Sequence, residues 1–215
     1  NKKIEYSMFI QNSANTIDRT SLYECFHGIL NYIYYYSDNK FNTEEIMFHF
    51  SGGKSRKKFS TKNNPNETNI LNIFNYKNIK QQFTIKSYKN AFIGITFKRI
   101  SIVPVAYSIR SGPSSNRFSH LYSFTFDGYD KYNKKWDTLD ERVNINDLIY
   151  EGGFNLYYVR TTKKSYSSFR IRQTEKGNNG NWGFSISAFE IHGIVLMNDS
   201  DSTNYKSNDL TNHDF

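Results

Sequence analysis

The chain has a single cysteine, Cys25, in 215 residues, which excludes an internal disulfide. Secreted sandwiches of this size often carry one, so a lone thiol points to an intracellular, cytoplasmic or cytoskeleton-associated home. No apolar run approaches the roughly 20 residues of a membrane-spanning helix, and no stretch has the apolar core of a secretory signal. The chain opens on Asn1 rather than Met, as a piece of a longer product would. Three prolines and 12 glycines exclude a collagen-like or proline-rich disordered chain. The five histidines, at positions 27, 49, 120, 192 and 213, show no metal-ligand spacing. No metal and no cofactor is therefore expected.

Catalytic constellations are missing as well. Cys25 has no base beside it, and an inert thiol in a helix accounts for it. His192, at the end of a strand-like stretch, reads as structural. Asp137, Asp140 and Glu141 could pair as acid and base, but a turn after Trp136 accounts for them. The glycine-rich "GNNGNWG" (177–183) precedes a strand and not a helix, so it lacks the helix start that makes a phosphate site. The chain does not read as an enzyme.

What is abundant is aromatic: 18 Phe and 17 Tyr, rings that pack well on pleated surfaces. Leu22, Phe26, Ile29, Leu30 and Ile33 recur at spacings of three and four behind the capping-box pattern Ser21–Glu24, which predicts a helix over about 21–34. From Ile46 the period becomes two. "IMFHF" (46–50), "AFIGITF" (91–97), "ISIVPVAYSIRS" (100–111), "HLYSFTFDG" (120–128), "FNLYYVR" (154–160), "SFRIRQT" (168–174) and "FSISAFEIHGIVL" (184–196) all read as strands. In the third, Val103, Val105, Tyr107 and Ile109 share a face, and Pro104 predicts an edge or a bulge. In the last, the inward parity changes between Ile186 and Phe189, as a bulge requires. Tyr107, Phe124, Phe126, Phe169, Ile171, Phe184 and Phe189 fall on the apolar parity of their strands and form the expected core. Many strands without intervening helices predict an antiparallel sandwich or barrel.

The ordered motifs "PVAYSIRS" (104–111), "HLYSFTFDGYD" with "KKWDTLDE" (120–141) and "FRIRQTEKGNNGNWGFSISAFEIHG" (169–193) resemble the discoidin-like family. These are the coagulation-factor type C, galactose-binding-like domains. "FHGILNYI" (26–33) and "AFIGITF" are similar to the opening motifs of an intracellular protist branch, often found beside BTB or leucine-rich-repeat modules. The sequence departs from the family at Phe92 and Phe124, where tryptophan is usual, and at Thr96, where aspartate is usual. The terminal cysteine pair of secreted members is absent. The resemblance implies an all-β jelly-roll β-sandwich over 40–196, an N-terminal extension (1–39) carrying the short helix, and a polar tail (197–215).

The resemblance also implies where a ligand would sit. In that fold the loop after "YSIRS" contacts ligand; here it is "SGPSSNRF" (111–118), with Arg117 and Phe118. The loop at 173–183 projects from the same end, with Lys176, Asn179 and Trp182, and the basic loop 52–59 joins them with Lys54, Arg56, Lys57 and Lys58. Cations beside aromatics suit a sugar ring, a lipid headgroup or an acidic protein. The net charge of +8 and pI near 9.3 permit anionic partners generally. Three functions remain open at this point: a scaffold that binds a protein partner, a glycan- or anionic-lipid-binding module, and, third, nucleic-acid binding, which has charge but no recognised motif.

Overall fold

Strand alternation translates directly into two layers. The computed structural model describes residues 25–36, 46–51, 70–77, 82–85, 88–112, 120–160 and 162–197. Among these, nine strands form: β1 (Ile46–Phe50), β2 (Phe83–Ile85), β3 (Phe92–Phe97), β4 (Ile100–Ser111), β5 (Phe124–Asp130), β6 (Lys135–Arg142), β7 (Phe154–Tyr158), β8 (Ser168–Gln173) and β9 (Phe184–Met197). They pair into a five-stranded sheet, β1-β3-β8-β5-β6, and a four-stranded sheet, β2-β9-β4-β7, antiparallel throughout. This is the jelly-roll β-sandwich expected from the sequence.

The core lies between the sheets, and the seven expected core residues are all buried. Tyr107 stacks on Phe126 at 4.3 Å, and Phe126 stacks on Phe169 at 5.5 Å. Such pairs add to the gain from burying their area. The Tyr107 hydroxyl donates to Asp140 Oδ2 at 2.7 Å, so its polar tip is satisfied at the rim of the core.

Both expected irregularities are present in β4 and β9, with one correction. Arg110 pairs with Ala188 and Ser111 with Ile186, so Ser187 is the extra residue of a bulge, inside the predicted interval. A second bulge lies between Pro104 and Ala106. It skips Val105, which is 38% exposed, and brings Ile102 inward. The expectation that Val103 and Val105 share the face of Tyr107 and Ile109 is thus overturned, because the bulge reverses parity at Pro104. β4 is an interior strand, so the proline marks the bulge and not an edge. The segment from Trp136 to Glu141, read as a turn, belongs to β6.

The N-terminal segment covers the outer face of the four-stranded sheet. Phe26 stacks on Tyr76 at 6.2 Å and tilts against Phe154 at 6.3 Å. The 3-10 turn Ile70–Phe74 lies beside it. Beneath this cover Arg110 is 1% exposed. Its guanidinium donates to Ser187 Oγ at 2.8 Å and to the Tyr76 carbonyl at 2.6 Å, with Ser187's carbonyl at 3.4 Å. Burial lowers its pKa to about 10, so it is still a cation at neutral pH. The bulge at Ser187 supplies two of its three acceptors.

Helix α1 runs from Ile29 to Tyr36, not unbroken from about 21; residues 21–24, with the capping box, lie outside the described residues. Cys25 and Phe26 are helical, and the chain then breaks at His27 and Gly28. The break has a cause in β9. The buried Glu190 carboxyl group accepts the Leu30 amide at 2.7 Å and the Asn31 amide at 2.8 Å, capping α1 as an N-cap side chain would. A Cβ on Gly28 would stand 2.5 Å from Glu190 Cγ and 2.7 Å from the Ile191 carbonyl. Gly28→Ala is expected to cost about 1–3 kcal/mol in urea denaturation, by forcing α1 off β9.

Candidate functional site

Strand direction decides which loops can meet. β1 is followed by Ser51, whose backbone N–H bonds the Phe92 carbonyl at 3.0 Å. β4 is followed by Gly112, whose N–H bonds the Ser185 carbonyl at 3.0 Å. Loops 143–153 and 174–183 leave from this same end, between β6 and β7 and between β8 and β9. The described residues flanking the basic loop and "SGPSSNRF" therefore stand at the end that carries 174–183. Lys54, Arg56, Lys57, Lys58, Arg117 and Phe118 themselves lie outside the described residues.

The loop at 174–183 is held by its own backbone. Gly177 N–H bonds the Asn181 carbonyl and Gly180 N–H the Gly177 carbonyl, each at 2.9 Å. Gly180 and Gly183 take φ of 78° and 88°, the left-handed region that a side chain resists. Gly183 N–H bonds the buried Gln173 Oε1 at 2.8 Å. Asn178 ties three loops: its Oδ1 accepts His120 N–H at 3.2 Å, and its Nδ2 donates to the Ile149 carbonyl at 3.1 Å. Ser123 donates from Oγ to Glu175 Oε2 at 2.8 Å and accepts Asn144 N–H at 3.1 Å.

These ties leave an open cleft of about 620 Å³ between Tyr122, Asn146, Ile149, Glu175 and Lys176. Of the expected site residues, Lys176 lines it. Asn179 is exposed, but its Oδ1 accepts Asn181 N–H at 3.1 Å within the loop. Trp182 is half-buried and does not line the cleft. Sequence reasoning missed Tyr122, which looked like a strand residue, and Asn146 and Ile149, which sit in a stretch with no period.

The remaining chemistry-bearing side chains have structural occupations. Asp137 takes the Lys164 ammonium at 3.0 Å and the Tyr166 hydroxyl at 3.1 Å. Asp140 holds Tyr107 and Arg142, the latter at 2.7 Å. Asp127, on the outer face of the five-stranded sheet, pairs with Arg170 at 2.8 Å and Arg172 at 3.3 Å. Cys25 is fully buried. His192 Nε2 lies 3.0 Å from the Cys25 carbonyl and 3.2 Å from Ser108 Oγ, and burial lowers its pKa. Among the described residues no group of three His, Cys, Asp or Glu side chains is placed to hold a metal ion. No described helix is long and apolar enough to cross a membrane.

Fold and site together define a β-sandwich domain with a polar cleft among the loops at one end. No protein-family model matches the chain, and no curated protein does. Among solved structures, the chain is similar to CBM62 from Clostridium thermocellum Xyl5A, at 14% identity and a TM-score of 0.48, over 69% of this chain and 94% of that one. It is also similar to the family 32 CBM from C. perfringens NanJ in complex with galactose, at 11% identity and a TM-score of 0.44, over 69% and 94%. An F5/8 type C domain from Bacteroides fragilis is similar at 9% identity and a TM-score of 0.44, over 54% and 76%.

Proposed function

We propose that this domain is a non-catalytic binding module and that its ligand is an uncharged glycan held in the loop-end cleft. The carrying observation is the make-up of that cleft: the Tyr122 ring, the Asn146 amide, the Glu175 carboxylate and the Lys176 ammonium border one open space. A sugar presents hydroxyls that both donate and accept, together with apolar C–H faces, so it engages all four groups at once. Glu175 beside Lys176 keeps the cleft near neutral, which favours an uncharged sugar over an anionic headgroup.

The test is calorimetric titration with galactose- and N-acetylgalactosamine-terminated oligosaccharides. Asn146 and Lys176 are exposed, so replacing both by alanine leaves the fold intact and is expected to weaken binding roughly tenfold. Trp182→Ala, and separately the neutralisation of Lys54, Arg56, Lys57 and Lys58, measure how far the face extends beyond the cleft. Absence of binding to any neutral glycan, or binding unchanged in the Asn146/Lys176 double variant, sinks the reading.

A further inference from the structure

At the opposite end of the sandwich the described connections are rich in cations. The β3–β4 turn carries Lys98 and Arg99, the β5–β6 hairpin carries Lys131, Lys134 and Lys135, and the segment entering β8 carries Lys163 and Lys164. Among the described residues, the acids of these turns and strand ends are Asp130 and Asp137. Lys164 Nζ bridges both acids at 3.0 Å each. Asp130 also receives the Tyr132 and Asn133 backbone amides, at 2.9 and 3.1 Å, and the Asn133 side-chain amide at 2.8 Å. The Asn133 hydrogen bonds, and then Lys164, hold the Asp130 carboxyl well below the usual carboxylate range. The two acids are thus spent on fixing the hairpin and Lys164, while Lys131, Lys134 and Lys163 project to solvent.

Between hairpin and segment lies a cleft of about 450 Å³, lined by the hydroxyl-bearing Ser101, Ser165 and Ser167 together with Lys131, Lys164 and the already engaged Asp130. At its rim Tyr132 is 93% exposed, more than any other large apolar or aromatic side chain among the described residues. A ring held out at the tip of a rigid hairpin, flanked by lysines over a hydroxyl-lined cleft, has no role in packing this domain.

We propose that this end is a second binding face, for an acidic polysaccharide. Tyr132 stacks on a sugar ring, and Lys131, Lys134 and Lys163 pair with its sulfate or carboxylate groups. A lipid bilayer fits less well, since one tyrosine is not the apolar face that inserts among acyl chains. Single-stranded nucleic acid calls for successive stacking platforms. Here Tyr129 leans on Trp136 at 5.2 Å and Tyr166 is 3% exposed, which leaves Tyr132 alone.

Calorimetry at about 0.15 M salt with heparin as the sulfated probe, polygalacturonate as the carboxylated probe and dextran as the neutral one tests the face. Heparin, polygalacturonate or both are expected to bind, the preference naming the anion, and dextran is not. Replacing Lys131, Lys134 and Lys163 together by alanine is expected to weaken binding roughly tenfold, and Tyr132→Ala several-fold with the salt dependence unchanged. Both variants should bind neutral oligosaccharides at the loop end as the unaltered protein does, which separates this face from the first. The proposal is overturned if neither acidic polymer binds, or if the triple variant binds unchanged. It is equally overturned if neutralising Lys54, Arg56, Lys57 and Lys58 abolishes binding instead, or if oligo-dT or anionic vesicles bind more tightly than either polymer.

Discussion

Phe126→Ala is expected to lower the unfolding free energy by about 3–5 kcal/mol. Phe126 is fully buried and meets three rings: Tyr107 at 4.3 Å, Phe169 at 5.5 Å and Phe189 at 6.4 Å. Those rings come from β4, β8 and β9, strands of both sheets, so the side chain joins the two layers at their centre. Its removal forfeits the transfer energy of the ring and leaves a cavity that paired strands cannot collapse around. Urea unfolding should show a lower midpoint with an unchanged slope, since the surface exposed on unfolding barely alters. A midpoint shift worth less than about 1 kcal/mol would place the inner face elsewhere.

Raising the pH from about 5 to about 9 is expected to destabilise the native protein by about 3–5 kcal/mol relative to Glu190→Gln. Burial pushes the Glu190 carboxyl from 4.5 up to about 8, although the amides of Ile191, Asn31, Leu30 and Gly28 pull the other way. The folded protein therefore holds a proton that the unfolded chain has released. Stability from this group is complete below about 4.5, declines once the pH passes that value and is lost as it passes about 8. His192 acts in the opposite sense, because burial lowers its pKa and folding favours its neutral form. Its contribution is common to both proteins and cancels in the difference. Parallel pH profiles would mean that the helix amides hold Glu190 as an anion throughout.

The strands were legible where one face is apolar and the other is not. β3, β4 and β9 show that pattern, and the parity change that betrays the Ser187 bulge is visible in "FSISAFE". β6 was not legible, because "KWDTLDER" buries only Leu139 among charged neighbours. β2 has three residues, too few for any period. The break in the N-terminal helix could not be seen locally, since its cause, Glu190, lies 160 residues from Leu30. The candidate site was half legible. Its end of the sandwich follows from strand order, yet the part of Asn178 in holding three loops together does not. Asn146 has no pattern around it and acquires its place only through those ties.

The contact between α1 and β9 sets an order of events during synthesis. Leu30 and Asn31 leave the ribosome well before the residue that receives their amides, with separations of 160 and 159 positions. At translation rates of 5–20 residues per second the delay is roughly 10–30 s. Throughout that interval α1 has no cap, and Phe26 and Leu30 have no sheet to cover. β9, which also sits between β2 and β4, supplies cap and surface together when it emerges. Among the described elements, the last strand made is thus the one that admits this helix.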